Sequence, residues 1–145
     1  MNVQGVRGVT VPTVPARKRV IVLDDDLGLL KAVGRLLRAQ GVEAELFSSV
    51  QDFQSGAELR RAICVVLDID VGGESGIEVG RQLVAKDPAM PVVFMTGNDS
   101  EGTRQVAMEG GCSTYLPKPF SAKSLIEAIE KASAESAGRN QEALV

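Results

Sequence analysis

The chain contains no histidine. That absence removes a good deal of chemistry: no Ser-His-Asp or Cys-His arrangement can be assembled from it, no imidazole can ligate a metal within one chain, and no phosphohistidine can form on it. Cysteine is scarce as well. The two present, Cys64 and Cys112, are far apart in sequence and make no Cys-x-x-Cys pair of the metal-binding or redox kind. Both stand at the starts of predicted strands, where a free cysteine serves as a small buried hydrophobe. Basic residues are not in excess: 16 Lys and Arg face 19 Asp and Glu, for a net charge of −3, so no basic stripe offers itself to nucleic acid. No apolar run approaches the roughly 20 residues of a membrane helix. The N-terminus lacks a positive region followed by an apolar one, so no signal peptide is expected. These absences imply a cytoplasmic protein with no membrane and no direct nucleic-acid contact.

What is present suffices for one domain with a real core, and not for two: 145 residues, 44% hydrophobic and 24% charged. Its organising stretch is I-C-V-V-L-D-I-D-V-G-G-E-S-G, residues 63–76. Five apolar residues run from Ile63 to Leu67 directly into Asp68. A continuous apolar run bounded by turn residues suits a strand buried on both faces of a parallel sheet. Asp68 then falls at the strand's carboxyl end, where open α/β sheets bind ligands. Taken alone, a strand-end aspartate is equally a helix cap or loop anchor.

Before this stretch, residues 1–16 carry Pro12 and Pro15, which forbid a regular helix; residues 1–17 are expected to form an N-terminal extension, with Arg17 to Arg19 a solvated flank. Val20 to Leu23 is a first buried strand, ending in Asp24, Asp25 and Asp26. Leu29, Leu30, Val33, Leu36 and Leu37 follow at helical spacing, and Gly41 closes that helix. Val42, Ala44 and Leu46 alternate as an edge strand does. Ser49 caps a short second helix. Beyond Asp68, Ser75 caps a third helix that stops at Asp87-Pro88. Residues 91–95 form a fourth strand ending at Thr96-Gly97, residues 100–109 a polar fourth helix, and 113–116 a short fifth strand before Pro117-Lys118-Pro119. Ser121 caps a last helix with Leu125, Ile126 and Ile129 inward. The pattern fades after Ala137, so the domain is expected over 18–136 with a tail at 137–145.

Five alternating βα units imply a parallel sheet with helices on both faces. Its polar residues fall at strand ends: Asp24 and Asp25 after the first, Asp68 after the third, Thr96 after the fourth, Lys118 after the fifth. All converge on one edge. Clustered carboxylates repel and call for a cation, and oxygen-only ligation favours Mg²⁺ or Mn²⁺. A carboxylate, a divalent ion, an amine and a hydroxyl together suit phosphoryl transfer, with Asp68 on the central strand as nucleophile.

These motifs, L-D-D-D at 23–26, L-D at 67–68 with Gly76 beyond, M-T-G at 95–97 and Y-L-P-K-P-F at 115–120, resemble the receiver domain of two-component response regulators over about residues 18–134. The detail of M-T-G and K-P-F is most similar to receivers of the nitrogen-fixation regulator group. The resemblance implies a flavodoxin-like five-stranded sheet in the order 2-1-3-4-5. It implies that Asp68 accepts a phosphoryl group from a histidine kinase or phosphotransfer protein, whose imidazole supplies the histidine missing here. Asp25 and Asp68 would hold Mg²⁺ by side chain, Asp70 by its backbone carbonyl and Asp24 through water. Thr96 and Lys118 would bind phosphoryl oxygens, and Tyr115 would be an aromatic switch. The partners implied are that kinase and a downstream effector protein, the state a monomer or a phosphorylation-dependent dimer. The activity implied is self-phosphorylation and acyl-phosphate hydrolysis only, not that of an ordinary enzyme.

The chain departs from the family at Gly72, where receivers usually carry proline; Gly72-Gly73 is expected to loosen this loop. Asp26 is expected to cap a helix rather than bind metal. The Lys118-Pro119 bond is expected to be cis, and Cys64 and Cys112 unpaired. No helix-turn-helix or second catalytic motif follows Ala137, so a stand-alone receiver is expected unless an output domain has been removed. Two alternatives remain. D-I-D after an apolar strand also resembles the nucleophile motif of haloacid-dehalogenase-type phosphatases, although their acidic pair follows the lysine and here it comes first. The other alternative is a receiver-like binding module that is never phosphorylated.

Overall fold

The computed structural model describes residues 18–110 and 114–144, the stretch 136–144 as backbone only. The N-terminal extension, Cys112 and Ser113 lie outside the described residues. Among the described residues, seven strands and five α-helices follow in the order β1 (Arg19–Leu23), α1 (Leu27–Ala39), β2 (Glu43–Phe47), α2 (Val50–Gly56), β3 (Ala62–Asp68), β4 (Asp70–Val71), β5 (Glu74–Ser75), α3 (Gly76–Lys86), β6 (Val92–Thr96), α4 (Glu101–Glu109), β7 (Thr114–Pro117) and α5 (Ala122–Leu144), with a 3₁₀ turn at Leu59–Arg61. The main sheet is parallel in the order β2-β1-β3-β6-β7. Counted within that sheet alone, this is the 2-1-3-4-5 order of the flavodoxin-like fold.

The apolar runs of β1, β3 and β6 are explained by burial on both faces. Val20, Val22, Cys64, Val66, Val93 and Met95 pack with α1 and α5 on one side, where Leu37, Leu125 and Ala132 close the core. Ile21, Leu23, Val65, Leu67, Val92 and Phe94 point the other way, against α2, α3 and α4. Burying one such aliphatic side chain is worth about 1.5–3 kcal/mol, so the three central strands are the best-anchored part of the molecule. Helix α4 is the worst anchored. Its buried residue is Ala107, while Val106 and Met108 stay exposed.

Three sequence expectations are corrected. Gly72-Gly73 does not loosen its loop. The pair adopts φ of 59° and 87° and closes the antiparallel ribbon β4–β5 as a two-residue turn with both central residues at positive φ, a conformation that glycine adopts freely. That ribbon, inserted between β3 and α3, interrupts the expected simple alternation. The segment assigned as a tail continues α5 to Leu144; alanine, glutamate, glutamine and leucine sustain a helix by propensity where no apolar stripe marks it.

Candidate functional site

Four side chains meet at the carboxyl edge of the sheet, each delivered by a strand end. Asp24 follows β1 and is wholly buried. Its Oδ1 accepts a hydrogen bond from the Asp26 amide at 2.9 Å, and its Oδ2 meets Lys118 Nζ at 2.7 Å. Asp68 ends β3, buried, with Oδ2 at 3.3 Å from Lys118 Nζ and Oδ1 accepting from the Asp70 amide at 3.3 Å. Lys118 follows β7, whose chain is fixed by the Lys118 amide donating to the Thr96 carbonyl at 2.7 Å. The Lys118-Pro119 peptide bond is cis. Asp25, exposed at the rim, accepts from the Gly72 amide at 3.1 Å.

Carboxylate oxygens of Asp24, Asp25 and Asp68 all lie within 4.8 Å of one another. This set fits a hard divalent cation: all the donors are oxygen and the negative charge exceeds what one lysine can balance. The electrostatics agree. Burial, and then the Asp24 charge, push the Asp68 carboxyl above the ordinary aspartate range, although Lys118 and the Asp70 amide act against the rise. For Lys118, burial works against the charged amine, but the hydrogen bond and charge of Asp24, followed by Asp68, overcome it and hold its pKa above the usual lysine value.

Helix α3 reaches this edge because its first residue has no side chain. A methyl group at Gly76 would overlap the Asp68 carbonyl oxygen, and the Gly76 amide instead donates to the Ile69 carbonyl at 3.0 Å. Asp26 is the N-cap of α1, accepting from the Leu29 amide at 3.1 Å, so it stands apart from the carboxylate cluster. Asp70 is exposed; its Oδ1 accepts from the Gly73 amide at 3.2 Å and holds the β4–β5 turn.

Thr96 and Tyr115 form a second tier. The Thr96 hydroxyl is buried, donating to the Asn98 carbonyl at 3.2 Å and accepting from the Asn98 amide at 2.9 Å. The Tyr115 hydroxyl is shielded from solvent, close to Thr96 and Asp99. Burial, and then the negative charge of Asp99, raise its pKa, with the Thr96 hydroxyl and Arg104 working in the opposite sense. The Arg104 guanidinium sits 4.9 Å from the Tyr115 ring centre and is bound to Asp99 at 3.1 Å. Sequence reasoning missed Asp99 and the Gly72–Asp25 hydrogen bond. Asp99 reads in sequence as an ordinary residue before a Ser-capped helix, and a backbone amide leaves no side-chain signal.

The parallel sheet thus gathers three carboxylates, an amine and a hydroxyl at its carboxyl edge. Residues 20–130 match the response regulator receiver domain, and the chain belongs to that family, the receivers of two-component systems. Response regulator protein TodT of Pseudomonas putida is 31% identical over 113 residues, 78% of this chain and 50% of TodT. The chain thus spans about half the length of the curated relatives it matches. A CheY-like receiver domain protein from Methanospirillum hungatei JF-1 has the same fold, with a TM-score of 0.78 over 86% of this chain and 99% of that one at 22% identity. The BeF3-activated receiver domain of DrrB, a Thermotoga maritima protein, is 27% identical with a TM-score of 0.73, covering 80% of this chain and 97% of its own. Family membership sets aside the phosphatase alternative.

Proposed function

We propose that Asp68 is a phosphoacceptor, loaded from the phosphoimidazole of a histidine kinase or phosphotransfer protein. In the transfer an Asp68 carboxylate oxygen forms a bond to phosphorus as the phosphorus–nitrogen bond of the donor breaks and the imidazole leaves. The observation that carries this reading is the placement of Asp68 within 3.3 Å of the Lys118 amine and beside two further carboxylates. Asp25 and Asp68 would hold Mg²⁺, with the Asp70 backbone carbonyl, while Asp24 keeps Lys118 and reaches the ion through water. When bound, the ion offsets negative charge on the phosphoryl group during transfer. Lys118 then binds a phosphoryl oxygen, and Thr96 exchanges its Asn98 contacts for another. The exposed side of α4 and β7, around Arg104, Met108 and Tyr115, is the face that responds and meets an effector protein or a second copy of the domain.

Incubation with acetyl phosphate and Mg²⁺ tests the assignment. One phosphoryl group is expected on the intact protein by mass spectrometry, and none on Asp68→Asn. A label that persists in the variant rules out Asp68 as acceptor; a wild-type chain that takes up no label favours the binding-module alternative.

A further inference from the structure

Two carboxylates catch the two amides of the glycine turn. The Gly73 amide donates to Asp70 Oδ1 at 3.2 Å, within the ribbon itself. The Gly72 amide donates to Asp25 Oδ2 at 3.1 Å, and that bond ties the ribbon to the end of β1, 47 residues earlier. A Cβ built on either glycine meets nothing within 4 Å. It is the backbone, at φ of 59° and 87°, and not crowding, that asks for glycine here. The ribbon's base is firm. Val71 is buried in the core beside α3, and Ser75 caps α3 by accepting from the Glu78 amide at 3.1 Å. The Asp25 side chain is exposed at the rim, and the Gly72 amide is what orients it.

We propose that the Gly72 amide is a positioning group for the metal site: it fixes the Asp25 carboxylate against the cluster, so that closure of the β4–β5 ribbon and affinity for a divalent cation are coupled. The inference rests on the reading of Asp25 and Asp68 as the ligands given above. A hydrogen bond to Oδ2 leaves Oδ1 free to accept a cation, since a carboxylate offers about four lone-pair sites. A carboxylate already oriented loses less freedom on binding than one that swings, and outer contacts of this kind hold ligands in place at metal sites. The ribbon reaches the same site a second time, because Asp70, whose backbone carbonyl is a ligand in that reading, begins it. Proline, the usual residue of receivers at position 72, has no amide hydrogen to give and cannot adopt a φ of 59°. The coupling is reciprocal: the factor by which the closed ribbon tightens cation binding is the factor by which the bound cation favours the closed ribbon.

The test uses the full chain, with Mg²⁺ alone as the probe. Calorimetry gives its Kd, and NMR of the ¹⁵N-labelled chain gives hydrogen exchange at the Gly72 amide. Gly72→Pro is expected to weaken Mg²⁺ binding about ten-fold, the lower end of what loss of an outer contact costs a metal site. Gly72→Asn should bind as wild type does, because asparagine keeps the amide and tolerates positive φ, and Asn-Gly favours this turn. In wild type, saturating Mg²⁺ should slow exchange at Gly72 by a similar factor of about ten, and Asp25→Asn should lose that response. Unchanged or tighter binding in Gly72→Pro, or an equal loss in Gly72→Asn, overturns the positioning role; if Asp25→Asn still weakens binding, the metal reading stands. Should Gly72→Pro fail to fold, a wild-type chain that binds Mg²⁺ with no change in Gly72 exchange overturns the role by itself. A wild-type chain that binds no Mg²⁺, or an Asp25→Asn variant that binds it as wild type does, overturns both.

Discussion

Lys118 Nζ lies 2.7 Å from the wholly buried carboxylate of Asp24, closer than its 3.3 Å to Asp68. The amine is committed first to the more deeply buried of the two acids. Lys118→Met leaves that buried acid without its cationic partner, with the Asp26 amide still donating to it. Removing one member of a fully buried pair costs about 3–5 kcal/mol; the lysine end is 23% exposed, and that solvent access reduces the expected loss to about 2–3 kcal/mol. Urea denaturation measures it. Adding Asp24→Asn should recover part of the loss, and a double variant no more stable than Lys118→Met contradicts the account.

The Asp68 carboxyl, raised above its ordinary range by burial and by Asp24, binds protons more readily in the folded chain than in the unfolded one. Its contribution to stability is fully present below the unfolded pKa and is lost as pH rises through the folded value. At neutral pH the ionised group therefore opposes folding. Asp68→Asn is expected to melt higher than wild type at pH 7, with the gap narrowing as the pH falls through the raised pKa. Melting curves across that range, without divalent ions, check the sign; a gap that widens on acidification is the contrary result.

A cation bound to the carboxylate cluster should relieve the same repulsion. At ten times its Kd, Mg²⁺ should stabilise the fold by about 1.4 kcal/mol, or roughly 4–8 °C in Tm for a domain of this size. Asp25→Asn removes an exposed ligand without disturbing Lys118, and should abolish most of the shift. An equal Mg²⁺ shift in the variant means that Asp25 does not hold the ion.

Thr96→Ala separates loading from response. The variant should still accept the phosphoryl group on Asp68 from acetyl phosphate. It should lose most of the phosphorylation-dependent chemical-shift change around Tyr115 and α4. If those changes survive, the hydroxyl is not the coupling group.

The strand ends were legible in the sequence because full burial on both faces forces unbroken apolar runs, and Val20–Leu23, Ile63–Leu67 and Val92–Met95 each stop abruptly at a polar residue. Asp26 as a cap was legible from its place before a periodic helix. The β4–β5 ribbon was not: Gly-Gly is compatible with a floppy loop and with a tight turn, and the difference lies in the Asp25 and Asp70 carboxylates that catch the two glycine amides. The Arg104–Tyr115 contact was illegible for a related reason. It joins α4 to β7, and nothing in the spacing of two residues fixes which face of a polar helix lies over a neighbouring strand.

Helix α5 has the proportions of a lever. Leu125 and Ala132, the first and last inward anchors of α5 among the described side chains, are about 10 Å apart along the axis, while Leu125 to Leu144 spans about 28 Å. Pivoting at Leu125, a movement of about 1 Å at Ala132 becomes one of nearly 3 Å at Leu144. Leu125 packs in the same core cluster as Leu116, the residue after Tyr115 on β7. A small adjustment of the strand that carries the tyrosine thus has a mechanical path to an amplified stroke at the opposite end of the molecule.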